Sequence, residues 1–382
     1  MTPRISIVIP AYNSAEFLSA AIDSALAQTV ANCEVIVVND GSTDNTPDVL
    51  AQYEDQIRII DQANRGLSGA RNSGIRAATG ELIGLLDADD IWLPTFCETL
   101  LQLVERNPDA AAYYGAVQCM SAEGVDLPQA GGQKVVATDQ FYTHLVRANW
   151  LIPSSMLLRR DIIIDAGLFD PAIRAAEDWD LWLRIGQEHP FAGTEQIVAR
   201  YRLHGASLSA DPAKMHLAVR QVIEKNFGLE SADIEAWPYF KRIGYGGLYR
   251  YCAVTSLLRL NDWAAATDHL RKAIRIDPDL AQDIDLFYEF ALGDQALGER
   301  GHVVLKGISA ERNMRKLIDA LCDDPLLAPL NNAINTTATF ALALAIYNSG
   351  QRRESRPHLW RTLRTAPQYR KRATKLLLRS LI

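Results

Sequence analysis

Asp87-Ala88-Asp89-Asp90 follow directly on the apolar run Leu82-Ile83-Gly84-Leu85-Leu86. That run is bounded by Gly80 and by the acids, and it reads as a buried parallel strand. Carboxylates this dense at the carboxyl end of a strand repel one another unless a cation offsets them. Oxygen-ligand cations such as Mg²⁺ or Mn²⁺ suit such a site, and open α/β sheets bind ligands at that end of their strands. A polar turn capping a helix that begins near Pro94 accounts for the same four residues, so the run alone leaves both readings open.

Further groups stand at comparable places. Pro10-Ala11-Tyr12 close the strand Ile5–Ile9, where Tyr12 can stack on a nucleobase or simply pack half-buried. Asp40 closes the strand Glu34–Val38. Its carboxylate can accept from an N–H on a base edge such as uracil N3, and Gly41-Ser42-Thr43-Asp44 reads as a turn and helix cap. In Arg65-Gly66-Leu67-Ser68-Gly69-Ala70-Arg71-Asn72-Ser73-Gly74 the spacing is not G-x-G-x-x-G, so this is no dinucleotide fingerprint. Arg71 offers a planar fork for base or phosphate oxygens, or lies on a helix surface.

Glu177-Asp178 open a helical pattern over Glu177–Ile185. A positioned carboxylate that removes a proton contributes ~10²–10⁴-fold to a displacement by a hydroxyl. Neighbours on a helix diverge by about 100°, so one of the two acids can face a reacting centre. Both acids also complement the positive end of a helix. Trp179 and Trp182 read as core.

In order along the chain, Ile5-Ser6-Ile7-Val8-Ile9-Pro10-Ala11-Tyr12-Asn13, Val37-Val38-Asn39-Asp40-Gly41-Ser42-Thr43-Asp44, Asp87-Ala88-Asp89 and Glu177-Asp178-Trp179-Asp180-Leu181-Trp182-Leu183-Arg184 are similar to the signatures of family 2 glycosyltransferases. The match covers roughly residues 5–209. It implies the A-type glycosyltransferase fold, a nucleotide-sugar donor and an acceptor hydroxyl on a glycan or a lipid-linked glycan. By resemblance Asp40 reads the base, and Pro10, Ala11, Tyr12, Asn64, Arg71, Asp87 and Ala88 line the donor. Asp89, with Asp87 and His204, holds a divalent ion, Mn²⁺ or Mg²⁺, on the diphosphate. Asp178 is the base, and Glu177 orients it or touches the acceptor. His204 stands in Tyr201-Arg202-Leu203-His204, similar to the family's Y-R-x-H loop. Where the family usually carries an acid before Asp40, this chain has Asn39. The reaction implied is inverting and metal-dependent, with a uridine- or thymidine-linked donor. Two rivals are a nucleotidyltransferase, disfavoured because Pro10–Leu18 lacks Lys and Arg for a triphosphate, and a non-catalytic scaffold.

The elements that position these groups alternate strand and helix over the first hundred residues. That order predicts an α/β, Rossmann-like, mostly parallel sheet with right-handed crossovers. From residue 110 to about 201 the pattern loosens, and Gly131–Ala137 reads as a loop or edge. After about Trp237 the chain is helical throughout. Tyr249–Pro278, broken at Asn261-Asp262, and more weakly Thr339–Pro367, resemble tetratricopeptide hairpins. The expected domains are residues 1–230 and an all-α 237–382, the latter a surface for a protein partner.

With 382 residues, 48% hydrophobic, the chain can build two cores. A net charge of −7 argues against a general nucleic-acid binder. Cys33, Cys97, Cys119, Cys252 and Cys322 form no C-x-x-C pair, which fits a reducing compartment and gives no zinc site. No signal-peptide pattern precedes the first strand, so a cytoplasmic location is expected, peripheral on the inner membrane face if the basic tail binds there. From Arg352 to Ile382 ten Lys/Arg face one acid, Glu354. The tail from Arg370 is a short basic amphipathic helix. It either meets an anionic membrane or docks its leucines on the helical domain.

Overall fold

The computed structural model describes residues 3–131, 135–204, 211–293 and 307–381. The chain folds as two compact units, Met1–Leu229 and Glu230–Ile382.

In the first unit, β1 (Ile5–Ala11), β2 (Cys33–Asn39), β3 (Arg58–Asp61) and β4 (Leu82–Leu85) pair in parallel in the order β3-β2-β1-β4. α1 (Leu18–Leu26), α2 (Thr46–Leu50) and α3 (Gly66–Ala77) make the crossovers. β1 and β4 are buried throughout, as continuous apolar strands covered on both faces must be. α1 buries Leu18, Ala21, Ile22 and Ala25; each such leucine or isoleucine contributes about 1.5–3 kcal/mol. α3 lies so close to β1 that a Cβ on Gly74 would stand 2.3 Å from Val8 Cγ1. The chain winds outward from β1 to β3 and returns to the other side of β1 at β4. This makes the carboxyl ends of β1 and β4 a topological switch point, where such sheets bind ligands.

Beyond β4 the sheet differs from the mostly parallel expectation. The order continues β8-β6-β9-β5, with β7 on β6, giving nine strands among the described residues. These are β5 (Ile91–Trp92), β6 (Ala112–Met120), β7 (Asp126–Gly131), β8 (Met156–Arg159) and β9 (Phe191–Arg202). β4–β8, β6–β8, β6–β7 and β5–β9 are antiparallel, and β6–β9 is parallel. The turn between β6 and β7 is too short for a crossover, so β7 must return antiparallel. α4 (Phe96–Arg106), α5 (Thr138–Arg147), α6 (Arg160–Asp165), α7 (Glu177–Gly186) and α8 (Pro212–Phe227) complete the unit. The segment read as a loop from Tyr201 begins instead as the end of β9, and its residues 205–209 lie outside the described residues, as do 132–134 of the Gly131–Ala137 segment.

The second unit is helical: α9 (Tyr239–Leu260), α10 (Trp263–Ile276), α11 (Ile284–Leu292), α12 (Gly307–Cys322), α13 (Asn331–Asn348), α14 (Arg352–Thr365) and α15 (Arg370–Ser380). α9 stops at Asn261, whose φ is +51°. Asp262 then caps α10 by accepting from the Ala265 N–H at 3.0 Å, a contact worth about 1 kcal/mol. Ala253, Leu257, Ala266, Leu270 and Ala273 are buried, whereas Leu260, on the last turn of α9, is 55% exposed. α15 packs Ala373 and Leu377 onto Phe340, Ala343, Leu344 and Leu359. Leu378 and Leu381 remain outside that cluster and exposed, so docking takes only part of the predicted leucine face. No helix among the described residues is long and apolar enough to cross a membrane.

Candidate active site

At the carboxyl end of β1, Tyr12 is half exposed, and Asn13 follows with φ +49°. The loop after β1 is tied to the loop after β2. Asn13 donates its N–H to Ser42 Oγ at 3.0 Å, and its Oδ1 accepts from the Thr43 N–H at 2.8 Å. Asp40 is buried; its Oδ1 accepts from Gln62 Nε2 at 2.6 Å and from the Arg65 N–H at 2.8 Å. Gly41 makes this possible: it sits at φ +74°, and a Cβ there would come within 2.9 Å of the Asn64 backbone N. Asn39 donates to Asp61 Oδ1 at 2.8 Å, a contact that an acid at this position could not make without a shared proton. Asn64 is exposed and its Oδ1 accepts from the Gly66 N–H. Pro10, Ala11 and Ala88 are buried in the backbone around these groups.

Arg71 differs from expectation. Its side chain is 1% exposed and its fork is filled from within. One terminal nitrogen meets Asp87 Oδ1 and the other meets Glu177 Oε1, each at 2.6 Å. The guanidinium lies 5.2 Å from the Phe169 ring centroid. Burial alone would weaken its charge, but Asp87, Glu177 and Asp178 outweigh that, so its pKa is raised. Arg71 thus joins the β4 acids to α7: both terminal nitrogens are taken by carboxylates, and its Nε is buried without a partner among the described residues. Its neighbour Asn72 pairs with the Phe169 backbone in both directions, at 2.8 and 3.0 Å, and fixes the segment leading into α7.

The three acids after β4 part company. The Asp87 N–H donates to Ser154 Oγ at 3.1 Å. Asp89 is a third exposed, and its Oδ2 meets His204 Nε2 at 2.8 Å. Burial, then repulsion from Asp87, raises the Asp89 pKa against the pull of His204. Asp90 is no helix cap: it is 1% exposed, and its Oδ1 accepts the Arg202 N–H at 2.9 Å. Its carboxyl is pushed well above the usual range by burial and then by Asp89 and Asp87. Arg202 stacks on Phe17 at 4.6 Å and donates to the Asp89 carbonyl, so the end of β9 holds the acidic turn by its backbone.

α7 starts from Ala176 in the left-handed region, φ +55°, a conformation costly for a residue with a Cβ. Glu177 is buried on Arg71, whereas Asp178 is partly exposed. Asp178 Oδ1 accepts its neighbour's Trp179 N–H at 2.7 Å, and Oδ2 accepts from Asn149 Nδ2 at 3.0 Å. Burial and then Glu177 push its carboxyl up to about 7, against Arg71 and these hydrogen bonds. Trp179 donates to the Leu145 carbonyl, and Trp182 is fully buried, so both are core.

The residues fit a small divalent cation. Cis ligands on an octahedral ion with bonds of about 2.1 Å stand about 3 Å apart, close to the Asp89–His204 spacing. No group of three or more His, Cys, Asp or Glu that could hold a metal is found among the described residues. Asp89 and His204 would supply part of the shell, with substrate phosphates and water completing it, as Mg²⁺ sites commonly do.

The family model for glycosyl transferase family 2 matches residues 6–164. An uncharacterised glycosyltransferase of Nostoc sp. is 31% identical over 257 residues, 64% of this chain and 77% of that protein. The chain belongs to glycosyltransferase family 2. Two uncharacterised glycosyltransferases, of Rickettsia felis and Rickettsia conorii, are each 34% identical over about half of this chain and 34% of their own length. Two solved structures share the A-type glycosyltransferase fold. S. aureus TarS 1-349 in complex with UDP-GlcNAc has a TM-score of 0.50 at 14% identity, over 93% of this chain and 92% of that one. The mannosyltransferase PcManGT of Pyrobaculum calidifontis, in complex with GDP-Man and Mn²⁺, has a TM-score of 0.50 at 17% identity, over 91% and 87%.

For this family 2 chain, the sequence reading missed Asn149 and Ser154 as partners of Asp178 and Asp87, and Arg202 as the brace beneath Asp89. Only Pro153-Ser154-Ser155, an interruption before β8, gave a signal.

Proposed function

We propose that this glycosyltransferase is inverting and metal-dependent, and moves a sugar from a uridine- or thymidine-linked donor to a hydroxyl of a glycan or lipid-linked acceptor in polysaccharide, glycan or glycolipid synthesis. The observation that carries this reading is the Arg71 bridge: its guanidinium meets Asp87 Oδ1 and Glu177 Oε1, each at 2.6 Å, and so ties the helix start that carries the partly exposed Asp178 to the acidic turn. With burial and Glu177 pushing its carboxyl up to about 7, Asp178 is about half or more ionised at pH 7–8 and basic enough to take a proton in the transition state. Asp178 takes the acceptor's proton as its oxygen attacks the anomeric carbon, and the nucleoside diphosphate leaves from the opposite side. One such displacement inverts the configuration.

Asp89 and His204, with Asp87 beside them, would hold the divalent ion, which when bound neutralises charge on the departing diphosphate. Asp40, whose Oδ2 is left over after Oδ1 takes Gln62 and Arg65, and the half-exposed Tyr12 suit a pyrimidine base at the switch point. Arg71 positions Asp87 and Glu177. The complexes of TarS with UDP-GlcNAc and of PcManGT with GDP-Man and Mn²⁺ support a nucleotide-sugar donor and a divalent ion here. We read the α9–α10 and α13–α14 pairs as tetratricopeptide-like hairpins offering a surface to a protein partner.

The test is release of nucleoside diphosphate from a panel of donor sugars with Mn²⁺, with the anomeric configuration of the product read by NMR. Full turnover by Asp178→Asn refutes the base assignment, full turnover in chelator refutes the metal, and a retained configuration refutes the single displacement.

A further inference from the structure

Residues 352–381 hold ten Lys or Arg and one acid, on a chain whose net charge is −7. All but Arg356 are exposed, and none of the ten pairs with a carboxylate among the described residues. A helix surface that only needs water usually mixes signs, because like charges four residues apart repel. Here the repulsion stands uncompensated.

The same surface exposes large apolar groups. Leu378 is 59% exposed and Leu381 62%. They are three residues apart, Leu381 just past the last residue of α15, and stand on the side next to the docked Ala373 and Leu377, turned from it by about a right angle. Lys371 and Lys375 continue that stripe, and Arg379 borders it. On α14, Arg356 reaches Ser380 and the Leu363 carbonyl accepts from Arg370 Nε, so the stripe 356–360–363 runs along α15. Trp360 lies on that stripe and yet is 53% exposed, alone among the seven tryptophans.

Cations flanking leucines and a tryptophan are what the headgroup region of a bilayer receives: phosphates outside, the acyl boundary just beneath, and an aromatic ring between. We propose that the outer face of α14–α15 docks on an anionic lipid bilayer, through Lys371, Lys375 and Arg379 on headgroup phosphates, with Leu378, Leu381 and Trp360 at the acyl boundary. Charge complementarity selects an anionic surface, and the leucines select lipid over a purely polar polyanion. The proposal does not depend on the identity of the donor or acceptor.

The experiment is co-sedimentation of the full chain with vesicles of phosphatidylcholine alone or with phosphatidylglycerol added, at low and high salt. Binding to the anionic vesicles only, weakened by salt, is expected. Each cation near such a surface is worth about fivefold in binding, so K371E/K375E/R379E loses about 100-fold or more by neutralisation alone. Leu378→Ser with Leu381→Ser weakens binding without changing its salt dependence. Thermal melts and donor turnover in solution remain as in the parent. Equal binding to neutral vesicles, full binding by the charge-reversed variant, or no binding at all overturns the proposal. So does a salt-sensitive dimer or heparin complex formed through these residues in place of vesicle binding. Should the triple variant melt early, the leucine pair decides alone.

Discussion

Asn149 donates its Nδ2 to Asp178 Oδ2 at 3.0 Å, while its Oδ1 accepts the Leu151 N–H at 3.0 Å. The second bond fixes which end of the amide faces the carboxylate, since only Oδ1 can accept from Leu151. Asn149 therefore stabilises the ionised form of Asp178 and holds its rotamer. For Asp178→Asn, turnover falls by ~10²-fold or more.

With burial and Glu177 pushing the Asp178 carboxyl up to about 7, turnover of the parent enzyme should rise with pH through that value. A hydrogen bond to a charged group is worth about 1.5–3 kcal/mol and one pKa unit is 1.36 kcal/mol. Asn149→Ala therefore moves the acid limb of kcat/KM upward by about one pH unit and loses about fivefold at pH 7, approaching about tenfold below pH 6, with most of it recovered at pH 9. An equal loss at every pH would show that Asn149 acts on packing alone. The measurement is nucleoside diphosphate release across pH 5–9.

Arg71 supplies a second prediction. It is the cation between two carboxylates that the chain brings together from 16 and 106 residues away. Removing one partner of a buried ion pair costs about 3–5 kcal/mol, because the other charges stay buried and unpaired. Arg71→Met should lower the urea midpoint accordingly. Arg71→Lys keeps the charge but cannot span both acids with a planar fork. It should recover part of the stability and little of the turnover. Full activity in Arg71→Lys would show that one of the two contacts is dispensable.

The limits of reading this site from sequence follow the same distances. Asp40, Asp87, Asp89 and Asp178 stand out because each ends a strand or opens a helix within a local pattern. Their partners do not: Asn149 is 29 residues from Asp178, Ser154 is 67 from Asp87, and Arg202 is 112 from Asp90. Arg71 looked like a free fork since nothing nearby on the chain says that α3 is buried on β1. β9 escaped notice because its burial alternates poorly and its partners β6 and β5 are remote in sequence. Asn261-Asp262, by contrast, was legible as a break because a left-handed Asn and an Asp cap act within four residues.

The Asp89–His204 contact yields a metal prediction. Loss of even an outer partner of a metal site costs on the order of 10–100-fold in affinity. His204→Ala should raise the Mn²⁺ concentration for half-maximal activity at least that far, with turnover at saturating Mn²⁺ less affected. Asp89→Asn should lose turnover that no added Mn²⁺ restores. The titration is run after chelation and dialysis; unchanged half-saturation in His204→Ala removes it from the metal shell.

Asp90 makes the last prediction, one of stability. Buried beside Asp89 and Asp87, its carboxyl keeps a proton that the unfolded chain gives up near pH ~3.9. The folded state then binds more protons than the unfolded one, so this group's contribution to stability falls as pH rises from about 4 towards its raised folded value. Asp90→Asn removes that loss while keeping an oxygen to accept the Arg202 N–H. The gap between variant and parent, in the variant's favour, should be smallest at about pH 4.5 and should widen by at least ~1 kcal/mol by pH 8, since about 1.36 kcal/mol is lost per pH unit between the unfolded and folded values. Asp90→Leu loses the acceptor and should be less stable than Asp90→Asn at both pH values. Urea melts at the two pH values decide it: a variant less stable than the parent at pH 8 would mean that Asp90 is ionised in the fold and that Arg202 is bound to a true carboxylate.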